Sequence, residues 1–125
     1  MPLRHSMPSE KFTRDYLVCA LWSSTDDNGE PLDDGGYVFA AKVAEALTAE
    51  ALKFYWDNED DCRADPGQAG HDLWLTRNRH GAGFWDGDWP HDVGGRLTDA
   101  SDAVGGIDLY VGDDGMIHAS GAVNA

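Results

Sequence analysis

HDLWLTRNRHGAGFW, residues 71–85, is the stretch on which the fold turns. Leu73 and Leu75 alternate with Asp72, Trp74 and Thr76, the period of two that marks a half-buried strand. Asn78-Arg79-His80-Gly81 has the composition of a turn. Ala82 to Trp85 can then return as the partner strand, with Gly83 marking a bulge or a close approach. The pattern predicts a β-hairpin.

Downstream, Asp86 to Pro90 is a turn. A helix is expected from Asp88 or Trp89, with Pro90 tolerated in its first turn. Val93, Leu97, Ala100 and Val104 give it one apolar face, and Gly105-Gly106 ends it. Ile107 to Val111, the turn Gly112-Asp113-Asp114-Gly115, and Met116 to Ala119 make a second hairpin. Upstream, Ser9 is placed as a helix N-cap with Glu10 in the first turn. Phe12, Tyr16, Cys19 and Ala20 form a stripe on a helix over about 9–23. Residues 24–36, STDDNGEPLDDGG, read as a loop. Ala40, Val43, Ala44, Leu47, Ala51, Phe54 and Tyr55 keep a helical period from about Tyr37 or Val38, and Pro66-Gly67 ends any helix. The expected class is α+β: three helices with an antiparallel sheet built from two β-hairpins. Residues 1–8 are expected to be a flexible N-terminus and 9–125 a single domain.

Asp and Glu number 23 against 9 Lys and Arg, a formal charge of −14. Such a chain repels nucleic acid and anionic membranes and attracts basic surfaces. At 42% apolar and 10% aromatic, it carries too much hydrophobic material to stay disordered. No apolar run approaches a membrane span and the first residues lack a signal-peptide core, so a cytoplasmic protein is expected. Cys19 and Cys62 match no metal or redox spacing; Cys19 is placed in the core, and Cys62, among carboxylates, is a poor nucleophile.

The acids are clustered, over Asp26 to Asp34, Asp57 to Asp65 and Asp99 to Asp114. Asp26, Asp27, Asp33 and Asp34 lie in the first loop, and Asp57, Glu59, Asp60 and Asp61 follow the second helix. If that helix continues, Asp57, Asp61 and Asp65 fall on one face at steps of about 5–6 Å, the order of phosphate spacing along a strand. These eight carboxylates, Asp65 excepted, are the candidate surface for a basic partner that itself binds nucleic acid. The alternative is a small-ligand or metal pocket in the run from His71 to His91. There His71, Asp72, Arg77 and His80 are the candidate residues, Arg77 and Arg79 belonging to the one basic island of the chain. His71, His80, His91, Asp86, Asp88 and Asp92 could ligate a metal, but none has a dedicated spacing, so no metal or cofactor is expected. No Gly-x-Ser-x-Gly elbow or Cys/His arrangement singles out a catalytic group. Trp89, beside Pro90, is the tryptophan expected at a partner surface.

Three runs, ALWSSTDDNGEPLD at 20–33, GHDLWLTRNRHGAGFWD at 70–86 and DLYVGDDGMIH at 108–118, together resemble a family of small acidic proteins encoded by bacteriophages and prophages. The resemblance implies a phage accessory protein in the cytoplasm of a bacterial host and implies no reaction. Small acidic phage proteins include anti-restriction and anti-CRISPR inhibitors, an analogy of class. On it rests the expectation of a DNA mimic that blocks the basic channel of a host defence complex.

Overall fold

Pro8 starts the first helix, because proline's fixed φ and missing N–H suit a helix's first position. In the computed structural model, which describes residues 7–78, 82–85 and 88–121, this helix, α1, runs Pro8–Ser23. The cap is therefore Met7 and not Ser9; Glu10 Oε1 accepts from the Met7 amide at 3.1 Å. Residue 8, expected to be loose, is helical, and residues 1–6 lie outside the described residues. The stripe read from the sequence is the buried face: Phe12, Tyr16, Cys19 and Ala20 are wholly buried.

Helix α2 spans Ala41–Asp57, starting later than its apolar pattern suggested. The reason is long-range. Val38 O accepts from Ile117 N at 2.8 Å and Ala40 N donates to Ile117 O at 3.0 Å, so residues 38–40 are held extended beside the C-terminal hairpin. After Asp57 the chain breaks at Asn58 (φ −126°, ψ 27°), resumes as the single turn α3, Glu59–Cys62, and buries Cys62.

Pro66–Arg77 is helix α4, not the first strand of a hairpin. Asp65 caps it, its carboxylate accepting from Gln68 N at 3.3 Å, and Pro66 occupies its first turn. From Ala69 to Arg77 every residue except His71 is buried. A helix enclosed on all sides carries no polar face, so its period of 3.6 is not written in the sequence. The Leu73–Leu75 alternation was therefore misleading. Ala82 to Trp85 form no strand; Phe84 N instead donates to Thr76 Oγ1 on α4 at 3.1 Å.

Helix α5, His91–Val104, begins after Pro90 and ends at Gly105 (φ 83°). Strands β1, Ile107–Val111, and β2, Ile117–Gly121, pair antiparallel with Val111 opposite Ile117. The class is α+β, but among the described residues there are five helices, not three, and one hairpin, not two.

Helix α4 lies against α1 in the most extensive contact of the fold, with α2 on α1 and α5 on α4. Aromatic rings join these layers: Phe12 stacks on Phe54 at 6.0 Å, Phe54 on Phe84 at 6.2 Å, and Tyr16 meets Trp74 edge-on at 5.6 Å. No described helix is long and apolar enough to cross a membrane.

Candidate functional site

The acidic loop after α1 is built by its own first carboxylate. Asp26 Oδ1 accepts from the amides of Asn28 at 2.9 Å and Glu30 at 3.0 Å, and Oδ2 accepts from the Tyr37 hydroxyl at 3.3 Å. The Glu30 amide first, then Asn28 and Tyr37, hold the Asp26 carboxyl below its ordinary value. Gly29 takes a positive φ of 81°, which closes the turn. Thr25 bridges Pro31, Leu32 N donates to Ser24 O at 2.9 Å, and the Leu32 side chain is wholly buried. The loop is thus pinned at its base. Asp27, Glu30, Asp33 and Asp34 are exposed on it, with no ion pair among the described residues.

The second acidic cluster differs from expectation. The break at Asn58 removes any continuous face of Asp57, Asp61 and Asp65, and Asp65 is spent on capping α4. Asn58 Nδ2 donates to Phe54 O at 2.9 Å, which fixes the break. Asp57 pairs with Lys53 at 2.6 Å. Asp61 accepts from Nη2 and Nε of Arg96, at 2.8 and 3.0 Å, across from α5. Glu59 is half-buried, and Asp60 is almost fully exposed.

The Arg96 guanidinium holds the Asp61 carboxyl below its ordinary value of 3.8. A carboxyl whose folded pKa is depressed adds stability above its unfolded pKa and loses it as pH falls through the folded one. Asp61→Asn is therefore expected to cost no more than about 1 kcal/mol at neutral pH, the upper limit for a solvent-screened pair. The difference from the native chain should close on acidification below that ordinary value, as read by thermal unfolding. A gap that persists to the acid limit would show that the pair contributes nothing through its charge.

Of the candidates in the His71–Arg77 segment, Asp72 and Arg77 are turned into the core. Arg77 points into the core: Nε donates to Gly105 O at 2.8 Å, and Nη1 donates to the Tyr16 hydroxyl at 2.8 Å and Glu50 Oε1 at 2.9 Å. Asp72 is buried and accepts from Gln68 Nε2 at 2.9 Å and Trp89 Nε1 at 2.7 Å, with His71 Nδ1 at 3.2 Å. Trp89, expected at a partner surface, is therefore tied inward and packs on Phe84. The exposed tryptophans are Trp22, Trp56 and Trp85. His71 stacks on Trp22 at 5.7 Å beside a shallow groove of about 270 Å³. His80, Arg79 and Asp86 lie outside the described residues. Among those described, no group of three or more His, Cys, Asp or Glu is placed to hold a metal. Both cysteines are buried free thiols, and burial pushes each up to about 12.

The cations are largely neutralised within the molecule. Lys11 and Arg14 approach Asp15, Lys53 pairs with Asp57, Arg63 with Asp60, Arg77 with Glu50, and Arg96 with Asp61 and Asp92. Among the described residues only Lys42 is left without an ion pair. The acidic loop keeps four exposed carboxylates, Asp27, Glu30, Asp33 and Asp34, with no ion pair among the described residues. No family model, no curated protein and no solved structure matches the chain.

Proposed function

We propose that this is a phage-encoded binding protein that inhibits a host nucleic-acid-binding defence complex by presenting carboxylates to its basic channel. The observation that carries this reading is the pinned loop from Asp26 to Asp34. It holds Asp27, Glu30, Asp33 and Asp34 outward without counter-cations among the described residues, on a backbone already ordered by Asp26. A rigid loop loses little entropy on binding, so the ionic attraction is retained as affinity. Asp26, Asp57 and Asp61 act mainly within the fold. The contact surface is centred on Asp27, Asp33 and Asp34, with Glu59 and Asp60 as a second cluster.

The test is retention on the tagged full chain from host extract, washed at low and then at high salt and competed with duplex DNA. Retention of a nucleic-acid-binding complex, released by salt and by DNA, is expected. The variant Asp27→Asn/Asp33→Asn/Asp34→Asn should lose it, because the attraction is ionic and these carboxylates supply it. Retention that ignores salt, or that survives the triple substitution, overturns the proposal.

A further inference from the structure

Among the described residues, the hairpin presents one unoccupied strand edge. In an antiparallel ladder, opposed residues alternate between exchanging hydrogen bonds and turning their amides and carbonyls outward. Gly112 N donates to Met116 O at 2.9 Å, which makes Val111–Ile117 an outward-turned pair, and likewise Leu109–Ala119 and Ile107–Gly121. Two further bonds agree: Ile117 N reaches away to Val38 O, and Ile107 N reaches away to Asn78 Oδ1 at 2.7 Å. The outer edge of β2 is thus partly covered by residues 38–40. Among the described residues the outer edge of β1 is capped at Ile107 alone. Leu109 and Val111 make no hydrogen bond to any other element among the described residues.

Beside this edge runs a groove of about 300 Å³. Ile107, Asp108 and Leu109 form one wall, Ser23, Ser24 and Thr25 the other, with Trp74 and Asn78 from α4. An edge of this kind is a template for another strand. Its surroundings select the strand's charge. Asp108 is exposed on β1, Asp113 and Asp114 lie at the hairpin turn, and Asp26 and Asp27 follow Thr25 on the far wall. No Lys or Arg occurs in residues 15–41 or 105–125, the stretches that supply both walls. A second copy would bring the same acidic edge and a charge of −14 against this one, which disfavours self-pairing.

We infer that the free edge of β1 docks an extended cationic segment of the partner protein, paired to the outward amides and carbonyls of Leu109 and Val111. The inference rests on the acid-to-base reading above and adds a backbone component to it. Alternate side chains of the added strand lie on the outer face beside Asp108 and Tyr110, where Lys or Arg finds a carboxylate and an aromatic ring.

The probe is a peptide of about eight residues, alternating valine and lysine, offered to the isotope-labelled full chain at low salt. A second peptide of the same sequence is N-methylated at every other residue, which removes donors and leaves the charge. The plain peptide should bind at least about tenfold more tightly. It should slow hydrogen exchange at Leu109 and Val111 while leaving Tyr110, already paired to β2, unchanged. Val111→Pro, which deletes an outward amide and spares the β1–β2 ladder, should abolish the difference between the peptides. Equal affinities without protection would overturn the inference and leave the acidic-surface reading standing. If neither peptide binds at low salt, both fail. Protection at Leu109 and Val111 in concentrated protein alone, with dimerisation, would assign the edge to a second copy and overturn the inference.

Discussion

Replacing Arg77 with alanine is expected to lower stability by about 3–5 kcal/mol and the melting temperature by roughly 10–20 °C. The side chain is completely buried and joins three parts of the fold to α4: Tyr16 on α1, Glu50 on α2, and the Gly105 carbonyl where α5 turns into β1. Burial pushes the Tyr16 hydroxyl up to about 12, against the pull of Arg77, so it stays neutral and Glu50 balances the guanidinium charge. Truncation would leave a carboxylate, a hydroxyl and a carbonyl short of donors in a low-dielectric setting. Lysine would not rescue it, since an ammonium lacks the planar fork that serves three directions. The double variant Arg77→Met/Glu50→Met should recover only the part of the loss that comes from the unpaired Glu50 carboxylate, since the Tyr16 hydroxyl and the Gly105 carbonyl still lack their donor. Arg77 Nη2 is already buried without a partner, which adds to the desolvation cost of the native guanidinium. Urea unfolding followed by tryptophan fluorescence reads the result. An Arg77→Ala chain as stable as the native one would overturn the role of this residue as the buried link between α1, α2 and the start of β1.

The same residue shows where a sequence stops being informative. Helix α1 was legible because it is amphipathic: the stripe at Phe12, Tyr16, Cys19 and Ala20 is its buried face. The C-terminal hairpin was legible because turn chemistry and β-formers are local signals. Helix α4 was not, because it is surrounded, and burial on every side erases the contrast on which periodicity depends. Within it, Arg77 had the look of a basic island only because its partners are 27, 28 and 61 residues away. The candidate site divides in the same way. Clustered acids in residues 26–34 are a matter of composition and could be read directly. That Asp26 turns inward could be suspected from the Asp-x-Asn-Gly turn pattern, whereas the Asp61–Arg96 pair spans 35 residues and leaves no local trace.

Gly70→Ala is expected to destabilise the fold by about 3 kcal/mol or more, at the upper end of overpacking effects. A Cβ added at Gly70 would fall on the backbone of α1: against the Phe12 carbonyl oxygen, 2.9 Å from its carbon and 3.1 Å from the Tyr16 amide nitrogen. Backbone in a helix cannot step aside, so α1 and α4 would have to separate along their whole contact. Alanine's better helix propensity, about 1 kcal/mol, is too small to offset that. Gly67, one turn earlier, supplies the control. A Cβ there meets the far ends of the Asp15 and Lys11 side chains, which can swing away. Gly67→Ala should therefore fall within about 0.5 kcal/mol of the native chain. Comparing the two by thermal and urea unfolding separates backbone contact from a general intolerance of change in this segment. Were Gly70→Ala tolerated as readily as Gly67→Ala, the contact of Gly70 with the α1 backbone would be overturned. The hairpin that the Leu73–Leu75 alternation suggested would then have to be reconsidered, because a segment paired as a strand has no need to bring Gly70 against the backbone of α1.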